Sequence, residues 1–75
     1  MTQTLDTLTS GARGTISGYD GDPPMRLLEM GLVPGTPVEV VRLAPLGDPM
    51  DVRVRGFHLS VRKAEASRVV IEVAS

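Results

Sequence analysis

Apolar residues recur at every second position through most of this chain, and many of them are β-branched. This two-residue period is typical of strands that bury one face and expose the other to solvent. Residues 51–55 and 57–62 both show it, and Gly56 alone separates them, which predicts a tight hairpin. The pattern predicts a mainly β domain, with further strands at residues 14–19, around Val38 and Val40, and at residues 69–73.

One segment, residues 22–31, breaks this rhythm and carries the start and stop signals of a short helix. Asp22 is suited to cap the first turn, Pro23 fits the first helical position, and Gly31 suits the left-handed residue after the last turn. Two turns of helix are not stable alone, so the segment must pack an apolar face on the sheet. The sequence therefore predicts a small, closed barrel of five strands, with one helix between the first and second. The helix lid would contribute Leu27, Leu28, Met30 and Leu32.

The chain has 75 residues, which suits a single domain spanning residues 1–75. It contains no cysteine, so neither a disulfide framework nor a thiolate metal site is available, and a reducing compartment is favoured. Residues 1–10 lack the pattern of a secretion signal, and no window has the 18 apolar residues of a membrane span. A cytoplasmic protein is expected.

Charge is unevenly distributed along the chain. Residues 1–52 carry three arginines against seven carboxylates, whereas residues 53–68 carry five cations against one carboxylate. Such asymmetry indicates either an ordinary solvated surface or a basic face for an acidic partner. The alternation places Arg53 and Arg55 on one outward face of the same strand. No aromatic residues interleave with them, so base stacking is not available and nucleic-acid binding is not expected.

Catalytic constellations are not apparent in the sequence. His58 is the single histidine and there is no cysteine, so a Cys–His pair is excluded and a catalytic triad would depend on His58 alone. Its alternation with Phe57 and Leu59 predicts an exposed strand residue. We therefore expect a protein that is not an enzyme and that holds no cofactor.

Carboxylates could still bind a hard cation, and Asp20-Gly21-Asp22 resembles part of a calcium loop without its remaining ligands. A glycine turn whose Asp22 caps the helix explains the same residues. A weak ferrous-iron site, completed across a dimer interface, is the alternative hypothesis for function. Its candidate ligands are Asp22, Asp48, Asp51 and His58.

A stiff, projecting loop is predicted at residues 44–50, between two strands. Pro45 and Pro49 remove two backbone donors and restrict the chain before any partner binds. Leu46 at the tip is either an apolar anchor for a partner or a residue that folds back over the end of the barrel.

A set of short motifs follows one another along nearly the whole chain, in the order Thr4-Leu5, Gly11 with Gly14, Arg26-Leu27-Leu28-Glu29-Met30-Gly31-Leu32-Val33-Pro34-Gly35, Ala44-Pro45-Leu46-Gly47-Asp48-Pro49, Gly56, and Leu59-Ser60-Val61-Arg62-Lys63-Ala64-Glu65-Ala66. In these segments the chain resembles the FeoA family of bacterial ferrous iron uptake, nearly from end to end. The resemblance implies an SH3-like barrel, in agreement with the strand pattern. It also implies transition-metal binding, for which this sequence supplies no ligand set of its own.

The resemblance further implies a cytosolic, non-enzymatic accessory protein that acts on FeoB, the membrane transporter whose cytosolic part contains a GTP-binding domain. The leading hypothesis is thus an interaction module that docks on FeoB and modulates its transport or GTPase cycle, with steering by arginines. A weak homo-oligomer is compatible with the open edges of a small barrel. A weak iron carrier or sensor is the first alternative, and an SH3-like nucleic-acid-binding module is the second. The candidate partner-binding residues are Leu28, Met30, Pro45, Leu46, Gly47, Asp48, Pro49, Arg53 and Arg55.

Overall fold

Six antiparallel strands form one sheet in a computed structural model that describes residues 1–73. The order across the sheet is β1-β6-β2-β3-β4-β5, so β1 and β5 are its edges. The strands are β1 Thr2–Thr4, β2 Arg13–Tyr19, β3 Pro37–Leu43, β4 Met50–Val54, β5 Phe57–Val61 and β6 Val69–Val73; the helices are α1 Met25–Glu29 and α2 Lys63–Ala66, with a 3₁₀ turn at Leu5–Thr7.

The prediction of five strands and one helix is wrong in number, although the mainly β class is confirmed. The predicted closure is also wrong, because β1 and β5 do not pair and the sheet keeps two edge strands. The additional strand β1 has three residues and no apolar alternation, and it forms only because β6 offers it a free edge, with Thr2 opposite Glu72. The additional helix α2 is a single turn in front of β6. Neither element has a local hydrophobic period, so neither could be recognised from periodicity.

The predicted start of helix α1 is also wrong. The helix begins at Met25, its N-cap residue is Pro24, and no side chain caps it. Because a proline disfavours helical backbone in the residue before it, Pro24 keeps Pro23 out of the helix and moves the first turn toward the C-terminus. The predicted end is confirmed in position, since Gly31 follows the cap residue with a φ of 95°.

The hairpin between β4 and β5 is confirmed, but its turn has two residues. Arg55 (φ 53°) and Gly56 (φ 85°) both adopt left-handed backbone, as in the type I′ turns that suit the twist of a two-residue hairpin. Arg55 therefore lies beyond the end of β4, which corrects its predicted place on the same outward strand face as Arg53. Phe57, the first residue of β5, is exposed, whereas Leu59 and Val61 on the same face are buried.

The core collects the inward residues of the strands together with residues from each helical segment. Leu5 comes from the 3₁₀ turn, Leu27 from α1 and Ala66 from α2, and all three are fully buried. Leu32, which follows α1, is also buried, and its carbonyl accepts a 2.6 Å hydrogen bond from the Tyr19 hydroxyl. Burial raises the pKa of Tyr19, so the hydroxyl keeps this donor proton over a wide pH range.

Candidate functional site

The loop between β3 and β4 projects from the barrel. The Ala44 N–H donates to the Pro49 carbonyl (3.1 Å) and the Gly47 N–H to the Ala44 carbonyl (2.7 Å), which closes a turn around Pro45 and Leu46. Leu46 lies at the tip and is 92% exposed, so of its two predicted positions the exposed one is observed. A leucine held in solvent by a closed turn is available to a partner without rearrangement of the loop.

An open groove of about 920 Å³ runs beside this loop and is bounded by α1, the end of β5 and α2. Asp48 and Pro49, two of the predicted binding residues, line it together with five residues that the sequence did not indicate as a binding site. Asp48 joins the loop to α2, because its carboxylate accepts a hydrogen bond from the Lys63 N–H (2.9 Å). The full lining is Arg26, Asp48, Pro49, Ser60, Arg62, Ala64 and Glu65.

A forked ion pair crosses the groove from α1 to α2. Arg26 donates through Nε (3.1 Å) and Nη2 (2.5 Å) to the two oxygens of Glu65, and Nη2 also reaches the Ser60 carbonyl at 3.2 Å. Glu65 accepts a further bond from the Arg62 N–H (3.2 Å). The Arg26 hydrogen bonds lower the pKa of Glu65, and the same pair raises that of Arg26. The pair fixes α1 against β5 and α2.

The lowered pKa of Glu65 predicts a measurable loss of stability in acid. Because the folded pKa lies below the ordinary value of 4.5, the stabilisation is present above that value and is lost as pH falls through the folded pKa. Between about pH 6 and about pH 3, we expect the wild type to lose roughly 0.5–1 kcal/mol more stability than Glu65→Gln. Urea unfolding at each pH measures this difference. Glu29→Gln, which removes an exposed carboxylate of α1 and leaves the Arg26–Glu65 pair in place, is the control, and an equal effect of both substitutions would contradict the prediction.

Two methionines at the ends of α1 are exposed to solvent: Met25 is 69% exposed, and Met30, the cap residue after the helix, is 38% exposed. Of the four residues predicted for the packed face of the lid, Leu27 and Leu32 are buried, Leu28 is half-buried, and the prediction for Met30 is wrong.

The Arg55 side chain lies beside Gly31, just after this helix: its Nε atom is 3.8 Å from the position that a β-carbon on Gly31 would occupy. Its guanidinium also extends 3.5 Å to the hydroxyl of Thr36. Arg55 thus connects the hairpin turn to the C-terminal end of α1.

Arg53 points outward as predicted, but it is already paired. The register places Arg13, Glu39, Arg53 and His58 side by side on four neighbouring strands, and Glu39 accepts from Arg53 while it lies 3.7 Å from Arg13. Two guanidiniums therefore share one carboxylate, and the row keeps an excess of positive charge. A shallow pocket of about 290 Å³ adjoins this row and is also lined by Arg55.

The four candidate metal ligands have different surroundings. The Asp51 carboxylate accepts from Arg42 (3.1 Å), that of Asp48 accepts from the Lys63 N–H, and exposed His58 lies opposite Arg53. The carbonyl of Asp22 accepts from Arg68. Within residues 1–73, no three His, Asp or Glu side chains come together in a group that could hold a metal ion. In the same range, no helix has the length and apolar character needed to span a membrane.

Comparison with known proteins shows a match to the FeoA domain family over residues 3–73. A Porphyromonas gingivalis protein described as a fusion of Fe(2+) transport protein A and the Fe(2+) transporter FeoB is 40% identical over 73 residues, which are 95% of this chain and 9% of that protein. This chain thus corresponds to a small part of that relative.

Solved structures that share both fold and sequence with this chain include two at 30% identity. The FeoA-like protein of Clostridium acetobutylicum has a TM-score of 0.90 at 30% identity, covering 99% of this chain and 88% of that one. FeoA of Stenotrophomonas maltophilia, solved in complex with zinc and described as an SH3 domain protein, has a TM-score of 0.78 at 30% identity, covering 93% and 89%. With the domain match over residues 3–73, these similarities show that the chain belongs to the FeoA family.

Proposed function

We propose that this protein is a non-enzymatic accessory protein of ferrous iron uptake that binds FeoB in the cytoplasm and modulates its transport or GTPase cycle. The observation that carries the proposal is the Porphyromonas gingivalis fusion, in which a region 40% identical to this chain is covalently joined to FeoB. A fusion holds two modules at high effective concentration, which favours modules that act on each other. A separate chain must obtain the same association from its own binding surface.

The Leu46 loop and the groove beside it are the surface that supports this association best. The loop offers an exposed apolar side chain on a backbone already closed by two hydrogen bonds, so little conformational entropy is lost on binding. The groove offers charged side chains that hydrogen bonds hold in place: Asp48 is bonded to the Lys63 N–H, and Arg26 is bonded to Glu65. An apolar anchor with a polar surround is the usual composition of a protein interface.

The direct test is a titration of the purified chain against detergent-solubilised FeoB of the same source, with and without a non-hydrolysable GTP analogue. We expect saturable binding whose affinity depends on the nucleotide, because a modulator of a cycle must bind its states unequally. A folded chain that does not bind active FeoB in any nucleotide state would contradict the proposal.

Within this test, Leu46→Asp should weaken binding to FeoB by tenfold or more. Burial of a leucine side chain contributes about 1.5–3 kcal/mol, and about 1.4 kcal/mol corresponds to a factor of ten in affinity. The melting temperature should stay within a few degrees of the wild type, since Leu46 makes no part of the core. Calorimetric titration and a thermal melt measure the two effects.

Two further variants at the same position separate apolar burial from charge. Leu46→Met keeps an apolar side chain of similar size and should retain affinity, whereas Leu46→Lys should weaken binding as Leu46→Asp does. If the lysine variant bound as tightly as the wild type, the loss in the aspartate variant would reflect charge repulsion. Leu46 would then not be an apolar anchor.

A further inference from the structure

Strand β5 is an edge of the sheet, and the geometry of its hairpin determines which of its backbone groups are free. In a two-residue hairpin the residues that flank the turn, here Val54 and Phe57, exchange both backbone hydrogen bonds. Because this pattern alternates along an antiparallel pair, Leu59 and Val61 also direct their backbone groups toward β4. His58 and Ser60 consequently direct theirs away from the sheet.

The contacts of β5 agree with this assignment. The Ser60 carbonyl accepts its hydrogen bond from the Arg26 side chain at 3.2 Å, on the side away from β4. The other three outward groups are the Ser60 N–H and the N–H and carbonyl of His58, and none of them has a hydrogen-bond partner within residues 1–73. Such a row is a template for an additional strand.

The charges around this edge favour an acidic occupant. Arg53 lies beside His58 on the neighbouring strand, and Arg26 and Arg62 line the groove at Ser60. Of the groove's two carboxylates, Glu65 pairs with the Arg26 guanidinium and also accepts from the backbone N–H of Arg62. Asp48 accepts from the backbone N–H of Lys63. Neither Arg62 nor Lys63 makes an ion pair with another residue of the described chain, residues 1–73.

A second copy of the chain is a poorer occupant. Pairing β5 with β5 would bring the basic surroundings of two strands together, namely Arg53 on the neighbouring strand β4 and Arg62 just after β5, and juxtaposed like charges oppose association. We propose that β5 accepts an extended, acidic segment of FeoB as a seventh strand, paired through the N–H and carbonyl of His58 and the N–H of Ser60. The groove receives the side chains of that segment. This inference rests on the function proposed above.

Ser60→Pro is the critical variant. Proline lacks the N–H, and its ring occupies the space into which an added strand would fit, but the bonds between β5 and β4 do not use this N–H. The variant should therefore fold, and it should bind FeoB at least tenfold more weakly than the wild type. Ser60→Ala is the matched control, because it removes only the hydroxyl and should bind as the wild type does.

His58→Pro tests the same edge independently if Ser60→Pro does not fold, since its N–H also points away from β4. Hydrogen exchange of the wild-type segment 57–61 should slow when FeoB is added, and higher salt should weaken binding. If Ser60→Pro and His58→Pro fold and bind FeoB like the wild type, the strand-addition proposal is wrong while FeoB binding stands.

Two other outcomes would also overturn the proposal. If segment 57–61 becomes protected with rising protein concentration in the absence of FeoB, the occupant is a second copy of the chain. If the wild type itself does not bind FeoB, the proposed function fails and the strand-addition site fails with it.

Discussion

Replacement of Gly14 by alanine is expected to lower the free energy of unfolding by about 3 kcal/mol, the upper range for overpacking a close-packed interior. Gly14 is a buried residue of β2, where its backbone lies between β3 and β6. A β-carbon there would overlap Cγ2 of fully buried Ile71 and stand 2.8 Å from the Glu72 carbonyl oxygen. The backbone of β6 cannot yield without loss of its pairing with β2.

For a domain of this size, a loss of 3 kcal/mol corresponds to a fall in melting temperature of roughly 12 °C or more. Urea and thermal unfolding of Gly14→Ala measure both quantities. Gly18→Ala is the matched control on the same strand, because a β-carbon at Gly18 meets no atom within 4 Å. That variant should stay within about 1 kcal/mol of the wild type. Equal stability of the two variants would show that β6 adjusts to the added methyl group.

The parts of this fold that could be predicted are those with a local physical signature. The strands β4 and β5 alternate apolar and polar residues around a short turn, and Gly31 marks the end of α1 because few other residues adopt its backbone conformation. These signals depend only on neighbours in sequence. The hairpin, the last strand and the helix stop are accordingly where the pattern placed them.

The remainder depends on residues far apart in the chain. Strand β1 is polar and pairs with β6 about 70 residues later, as in the bond from the Thr2 hydroxyl to Glu72. The Arg26–Glu65 pair spans 39 residues, so no spacing rule identifies it, although both residues lie in segments that carry the FeoA resemblance. The groove exists only where α1, α2 and the Leu46 loop meet. The sequence therefore indicated the loop but not the groove beside it.

Replacement of Leu27 by alanine is expected to lower the free energy of unfolding by about 2–5 kcal/mol, the usual loss when a fully buried leucine is truncated to alanine. Helix α1 has only five residues, too few to be stable alone, and Leu27 is the buried residue within it. Its side chain connects α1 to the core, so a cavity there weakens the attachment of the whole helix. Urea unfolding measures the loss.

Leu28→Ala provides the comparison, because Leu28 is the next residue of the same helix, is half-buried and lies outside the core cluster. It should cost about 1 kcal/mol or less. Since Arg26 precedes Leu27, a loosened α1 also withdraws the guanidinium from Ser60 and Glu65. Under conditions where Leu27→Ala remains folded, we therefore expect its FeoB affinity to fall as well. If Leu27→Ala were as stable as Leu28→Ala and bound FeoB as tightly as the wild type, Leu27 would not be what holds α1 and the groove in place.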